Sequence, residues 1–277
     1  MPARITFTIK APTGPRTTSL TYERRGAGEP LLLLHGIGHH WQAWEPVLDV
    51  LAAERDVIAV DLPGFGASDA LPEGSPYDLS TVVPVLGAFC GALGVERPHV
   101  AGNSLGGLLA LELGREKLVR SVTALSPAGF WTEAERRYAF GTLRAMRGAA
   151  LSLPVPVIER LSRTPAGRTA LTSTIYARPA RRSPEAVVAE TLALRGATGF
   201  HRTLAAGRTV LFRDDVSSSV RVTVAWGTRD RLLLRRQGVR AKHALPGARL
   251  VRLPGCGHVP MNDDPALVAR VILDGSR

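Results

Sequence analysis

The chain has 277 residues, of which 45% are hydrophobic and 21% charged, a composition typical of a globular protein whose core needs no disulfide or metal. No apolar run approaches the roughly 20 residues that span a bilayer, and the first residues carry no secretory signal. We therefore expect no membrane insertion and a cytoplasmic protein in which Cys90 and Cys256 are free thiols.

The net charge is +11, and all but three of the 35 basic residues are arginines. Segment 131–219 alone holds fourteen arginines against seven acidic residues. A nucleic-acid partner would normally add a binding motif or aromatic residues among the basic ones, but aromatics make up only 5% of the chain. We expect no nucleic-acid partner and an arginine-rich surface that faces water, with anionic membrane surfaces or acidic substrates as the alternatives.

Eight segments of the chain predict strands, and most of them alternate with predicted helices. The strands are expected at 5–9, 19–24, 31–34, 56–60, 99–101, 121–125, 220–226 and 249–253. Helices are expected between them at 44–51, 79–93, 107–114 and 232–244, and a last helix at 265–273 follows the final strand. The first two strands alternate in polarity around a turn at 12–15, which indicates an antiparallel pair. The later strands are continuous apolar runs, which indicates a parallel sheet covered on both faces.

Between residues 130 and 219 the strand pattern stops for about ninety residues. Helical patches occur at 133–146, 184–194 and 200–212, divided by several prolines. We interpret 131–219 as a helical cap over the carboxyl edge of the sheet. The core domain then consists of 1–130 and 220–277.

The most informative motif is Gly102-Asn103-Ser104-Leu105-Gly106. It fits the pattern G-x-S-x-G, with a predicted strand before it and a predicted helix after it. A serine on so tight a turn is exposed at the end of the strand, and the small flanking residues let the turn close. Ser104 is therefore a candidate nucleophile. The alternative is a glycine-rich turn with an incidental serine.

A serine nucleophile needs a histidine base and a carboxylate that orients it. His258 is best placed, because it follows the last strand on a glycine-containing loop; the alternative is a surface histidine. Asp230 follows the preceding strand and could reach His258, although it could instead cap the helix predicted after it. Asp214 and Asp215 are weaker candidates for the acid. The other histidines are less well placed: His35, His39, His40, His99, His201 and His243.

Together these motifs resemble the α/β-hydrolase family, in its order Ser, Asp, His. The stretches that carry the resemblance are His35-Gly36-Ile37-Gly38, Asp61 to Asp69, Gly102 to Gly107, Trp226-Gly227 with Asp230, and Gly257-His258-Val259-Pro260. The resemblance implies that His35, Gly36 and Gly38 belong to the oxyanion loop. It also implies that the backbone N–H groups of Ile37 and Leu105 hold the oxyanion. One departure is the absence of the proline that often follows the acid in this family.

The resemblance implies acyl transfer to water, with no cofactor and no metal. We expect a small or medium, largely apolar carboxylic ester as substrate, and a protein that is a monomer or homodimer. The residues expected to line the pocket are Trp41, Phe130, Trp131, Val259 and Met261. One alternative is carbon–carbon bond hydrolysis of ring-cleavage products, whose carboxylates the arginines could bind. Another is a non-catalytic ligand-binding member of the fold.

Overall fold

The computed structural model describes residues 2–11, 14–213 and 216–277, and its centre is an eight-stranded sheet. The strands are β1 (Ala3–Ala11), β2 (Gly14–Arg25), β3 (Pro30–Leu34), β4 (Asp56–Val60), β5 (His99–Asn103), β6 (Ser121–Leu125), β7 (Arg221–Gly227) and β8 (Arg249–Leu253). Each predicted strand is confirmed in place. Residues 12 and 13 of the predicted turn lie outside the described residues.

The strand order is β1-β2-β4-β3-β5-β6-β7-β8. β2 pairs antiparallel with both β1 and β4, and the pairs from β4 onward are all parallel. Strands β4, β5 and β6 are buried along their whole length, which explains their continuous apolar sequences. Because the parallel strands share one direction, the loops after β3, β5, β7 and β8 leave the sheet at the same edge.

Five helices belong to the layers around the sheet. They are α1 (Glu45–Ala52), α2 (Leu79–Ala92), α3 (Leu105–Arg115), α9 (Arg236–Ala244) and α10 (Pro265–Gly275); the helix numbers follow chain order. The helix predicted at 232–244 begins only at Arg236, because Asp230 Oδ1 accepts the backbone N–H groups of Leu232 and Leu233 and holds a turn there. The predicted mostly parallel eight-stranded α/β fold is confirmed.

Between β6 and β7 lie five further helices, which we call the helical insertion. They are α4 (Glu133–Ser152), α5 (Val155–Ser162), α6 (Pro165–Thr172), α7 (Pro184–Gly196) and α8 (Phe200–Ala206). α7 packs against α4, α5 and α6. The sequence pattern does not predict helices α5 and α6, because their prolines read as dividers between helices. In the structure these prolines stand in the first turn of each helix, a position that tolerates proline. In the described parts of the chain, no helix is long and apolar enough to span a bilayer.

Candidate active site

Ser104 lies on a sharp turn between β5 and α3. Its backbone has φ 57° and ψ −113°, a sparsely populated conformation for a residue with a side chain. The turn closes only because two neighbours lack a Cβ atom. A Cβ at Gly102 would lie 2.0 Å from the carbonyl oxygen of Gly106, and one at Gly106 would lie 2.0 Å from that of Leu34. The G-x-S-x-G spacing thus brings the start of α3 against β3 and β5.

His258 and Asp230 form a buried pair at the ends of β8 and β7. His258 Nδ1 lies 2.8 Å from Asp230 Oδ2, and both residues are buried. Because an ionised carboxylate can only accept, the proton sits on Nδ1 and the lone pair is left on Nε2. The other oxygen of Asp230, Oδ1, accepts the N–H groups of Leu232 and Leu233 in the turn that follows. Asp230 therefore contacts the histidine with one oxygen and caps a turn with the other, although no helix begins at that turn.

The loop after β3 is held by His35. The N–H of Leu62 donates to His35 Nε2 at 2.9 Å, so Nδ1 carries the proton and donates to the Gly36 carbonyl at 2.7 Å. Burial lowers the pKa of His35 to about 3, which keeps the ring neutral. The Gly36 carbonyl also accepts from the His39 N–H at 3.1 Å.

This arrangement fixes the direction of the next peptide. The Gly36–Ile37 peptide is trans, so its N–H points away from the doubly bonded Gly36 carbonyl. Within the described residues, the N–H groups of Ile37 and Leu105 donate to no other group. A Cβ at Gly36 would lie 3.3 Å from Ser104 Cβ, which shows how closely this loop approaches the serine. Two free backbone donors are therefore available near Ser104.

Asn103 is a site residue that the sequence analysis did not single out. Its Nδ2 donates to the carbonyl of Leu125 at 3.1 Å and to that of His258 at 2.9 Å. We call residues 254–259, which follow β8 and carry His258, the histidine loop. The Asn103 side chain thus connects this loop to β6. Only its place within the G-x-S-x-G motif could have drawn attention to it.

Asp263 fastens the helical insertion to the histidine loop, in an arrangement that we call the Asp263 clamp. Its carboxylate accepts the N–H groups of Ala177 (3.0 and 3.1 Å), Arg178 (2.9 Å) and Gly257 (2.7 Å). Beside it, the carbonyl of Ile175 accepts the N–H of His258 at 2.8 Å. The backbone of 175–178 and the histidine loop therefore hold one another.

A small cavity of about 50 Å³ joins these elements. Its floor comes from the sheet loops and consists of Gly36, Ile37, Gly38, His39, Asn103, Ser104, His258 and Val259, with Leu232 beside them. Its wall comes from α4, α6, the segment after α6 and α7, and consists of Leu143, Met146, Leu171, Thr172, Ile175, Glu190, Thr191 and Leu194. Ser104 and His258 thus line the same space.

The comparisons with known proteins agree with this architecture. The model of the alpha/beta hydrolase family matches residues 31–271. The chain belongs to the α/β-hydrolase family. An uncharacterized protein of Mycobacterium tuberculosis is 30% identical over 254 residues, 87% of this chain and 73% of its own length.

Solved structures of this hydrolase fold superimpose over nearly the whole chain. A thermophilic esterase from Thermogutta terrifontis has a TM-score of 0.73 at 19% identity, covering 98% of this chain and 97% of its own. A meta-cleavage product hydrolase from Pseudomonas fluorescens has a TM-score of 0.72 at 19% identity, covering 96% of each chain. At these identities the likeness establishes the fold alone. The predicted family and the hydrolase class of enzyme are confirmed.

Four of the residues expected to line the hydrolase pocket lie elsewhere, and only Val259 lines the cavity. Phe130 and Trp131 line a different cleft, where the Phe130 and Phe212 rings lie 5.5 Å apart. Trp41 and Met261 are buried in the core. These residues stand on the expected loops, but a sequence does not give the direction in which a loop side chain points.

His39, one of the histidines that the sequence places less well for a base, lines the cavity, and burial lowers its pKa to about 3. Asp214 and Asp215, the alternative acids, lie outside the described residues. Among the described residues no arginine lines the cavity, and no three His, Cys, Asp or Glu side chains converge as a metal site.

Proposed function

We propose that this α/β-hydrolase is a serine esterase that cleaves small or medium, uncharged carboxylic esters. Ser104 is the nucleophile, His258 the base, and Asp230 the group that orients the base. The observation that carries the proposal is that Ser104 shares one cavity with His258, while Asp230 holds the opposite ring nitrogen at 2.8 Å. That tautomer leaves Nε2 free to accept a proton.

In the first half of the reaction, His258 Nε2 takes the proton of Ser104 as Oγ attacks the ester carbonyl carbon. The N–H groups of Ile37 and Leu105 stabilise the oxyanion of the tetrahedral intermediate. The C–O bond to the alcohol then breaks, and His258 returns its proton to the leaving alcohol. Water, deprotonated by His258, attacks the acyl-serine in the second half and releases the carboxylic acid and free Ser104.

Segment 131–219 acts in this proposal as a cap on the core formed by 1–130 and 220–277. The contribution of α4, α6 and α7 to the cavity wall supports it. The wall side chains are mostly apolar, which suits the hydrocarbon part of an ester. The cytoplasmic location and the monomeric or homodimeric state stay predictions.

The charges around the cavity favour an uncharged ester over a carboxylate-bearing ring-cleavage product. The arginines of the helical insertion stay outside the described lining of the cavity, and its one acidic residue, Glu190, is paired with Arg182 at 2.8 Å. A substrate carboxylate would lose its hydration without gaining a cationic partner.

The test is labelling by a fluorophosphonate probe together with hydrolysis of p-nitrophenyl butyrate. We expect labelling and turnover in the wild type, and loss of both in Ser104→Ala. Ser152→Ala, at an exposed position at the end of α4, is the matched control and keeps both. Labelling that survives in Ser104→Ala would overturn the proposal, as would the absence of any ester turnover.

A second arm compares a neutral ester with a dienoate ring-cleavage product at low and high salt. Neutral esters should be preferred, with less than about a twofold effect of salt, because no exposed charge pair binds them. A preference for the dienoate that weakens with salt would instead favour carbon–carbon bond hydrolysis.

A further inference from the structure

One side of the cavity wall is polar, and Glu190 of α7 is at its centre. Glu190 Oε1 accepts the Tyr176 hydroxyl at 2.7 Å, and Oε2 accepts Arg182 Nη2 at 2.8 Å. The Arg182 guanidinium also lies over the Tyr176 ring, 4.5 Å from its centre. His39 Nε2 lies 3.3 Å from Glu190 Oε1. Glu190 is thus a buried carboxylate held in place from three sides, yet it lines the cavity.

The protonation states in this cluster follow from burial. Burial raises the pKa of Tyr176 well above its usual value, so its hydroxyl stays protonated and donates. The lowered pKa of His39 keeps its ring neutral. Since a carboxylate only accepts, the proton of His39 belongs on Nε2, which leaves an acceptor lone pair on Nδ1. The Glu190–Arg182 pair carries no net charge.

The remaining polar side chains of the cavity have also used their protons. The Thr191 hydroxyl donates to the Val187 carbonyl at 2.7 Å. The Thr172 hydroxyl likewise donates within its own helix, at 2.8 Å. Both Asn103 amide protons bind backbone carbonyls.

Acceptor positions remain on these groups. Each threonine oxygen retains a lone pair, and a carboxylate has about four acceptor positions, of which Glu190 uses three. Apart from Ser104, the described side chains that line the cavity therefore offer hydrogen-bond acceptors and no free donor.

We propose that Glu190, Thr191 and Thr172 of the wall, together with the adjoining His39 of the floor, form a surface that we call the acceptor wall. It binds an uncharged hydrogen-bond donor on the substrate, such as a hydroxyl or an amide N–H. The inference rests on the proposed esterase function and narrows its substrate class. An ammonium group matches less well, because Arg182 already neutralises Glu190. A carboxylate or a bare alkyl end would leave the acceptor wall without donors.

The experiment uses pairs of esters in which a terminal methyl group is replaced by a hydroxyl of nearly the same size. One series places the change on the acyl chain and the other on the alcohol, each in several chain lengths, and acid release is followed by titration. In one of the two series, and at one chain length, we expect kcat/KM to be about tenfold higher for the hydroxyl ester than for its methyl counterpart. This is the usual order for a hydrogen bond to a charged acceptor. A methyl preference throughout would overturn the inference.

Variants then assign the preference to the wall. Glu190→Gln keeps the shape but presents N–H groups, so the hydroxyl-to-methyl ratio of kcat/KM should fall to about twofold or less. Glu185→Gln, an exposed position on the same helix, is the matched control and keeps the wild-type ratio. Thr191→Val removes one acceptor at almost constant volume, and serves if Glu190→Gln does not fold. A ratio that is unchanged in both wall variants would overturn the inference.

Failure of this inference is distinguishable from failure of the proposed function. If Ser104-dependent ester hydrolysis occurs without a hydroxyl preference, only the acceptor wall is disproved. If no ester is turned over and Ser104 is not labelled, the esterase proposal itself fails, and the acceptor wall as a substrate determinant fails with it.

Discussion

The floor and the wall of the cavity are held in different ways. On the floor, most polar contacts involve at least one backbone group, as where the Ser104 N–H donates to the Leu125 carbonyl and the His39 N–H to that of Gly36. In the wall, the main polar contacts are between side chains, such as Tyr176 with Glu190. Side-chain substitutions should therefore alter the wall readily while the backbone geometry of the floor persists. Floor variants should change the rate of the chemical step, and wall variants should change which ester is chosen.

The largest expected effect is on the floor, in Asp230→Asn. The asparagine oxygen can keep accepting from Leu232 and Leu233, so the fold should survive. Its N–H₂ would then face His258 Nδ1 and donate to it. The ring proton would therefore sit on Nε2, which would have no lone pair to accept the proton of Ser104. We expect kcat to fall on the order of ten-thousandfold, measured with p-nitrophenyl butyrate.

Asp78→Asn is the control for that variant, because asparagine replaces aspartate equally well as the N-cap of α2. Near wild-type turnover in Asp230→Asn would show that another group orients the histidine.

Asp263→Asn tests the connection between floor and wall. With one oxygen instead of two, it must leave at least one of the N–H groups of Ala177, Arg178 or Gly257 without an acceptor. The free energy of unfolding should fall by about 1–3 kcal/mol. If the clamp also positions His258, kcat should fall about tenfold with little change in KM, even far below the melting temperature.

The neighbouring Asp264→Asn is the matched control, since it retains an N-cap for α10. A loss of stability with unchanged kcat would limit the clamp to a structural role.

Leu194→Ala tests the wall alone. Leu194 lies over the loop after β3, since a Cβ at Gly38 would be 2.5 Å from its Cδ1. Its truncation should move the preferred acyl length to longer chains and change kcat/KM ratios by about three- to tenfold, the range of one or two methylene groups.

Two further truncations complete this test. Leu151→Ala, on an exposed position of α4, should leave the chain-length profile unchanged. Trp131→Ala should also leave it unchanged, because Trp131 lines another cleft. A change of the chain-length profile in Trp131→Ala would show that Trp131 does line the substrate pocket.

The smallest effect concerns Asp61, which supports the floor by accepting the N–H groups of Trp41 and Ala67. Burial raises the pKa of Asp61 from 3.8 to about 6. A raised carboxyl pKa favours folding below the unfolded value, and that stability is lost as pH rises through the folded value. Relative to Asp61→Asn, the wild type should lose roughly 1–2 kcal/mol of unfolding free energy between about pH 5 and about pH 8.

Denaturant titrations of both proteins across that range measure the difference. A constant difference would show that Asp61 has an ordinary pKa.

Much of the floor could be predicted from sequence, because its elements have strong local signatures. Buried parallel strands are continuous apolar runs, and the turn at Ser104 requires glycines that are visible in the chain. The wall could not be predicted in the same way. Helices α5 and α6 are only eight residues each, too short to be stable by local propensity, so tertiary packing decides them.

Side-chain direction was the second limit. Sequence placed Val259 and Met261 on one loop, yet only Val259 reaches the cavity, because the loop carries Met261 into the core. Glu190 was one acid among the charged residues of a predicted helix. Its partners Tyr176 and Arg182 come from a segment with no regular pattern, so no periodicity could bring them together.

The bond between the Ile175 carbonyl and the His258 N–H has a consequence for protein engineering. An exchange of the whole helical insertion for that of another hydrolase assumes that the insertion has no essential contacts with the histidine loop. A graft without an acceptor at position 175 would leave the His258 N–H without its partner. A graft without the N–H donors of 177 and 178 would remove two of the groups that bind the Asp263 carboxylate. A chimera should therefore retain residues 175–178 as part of the recipient, with the junctions placed on either side of them.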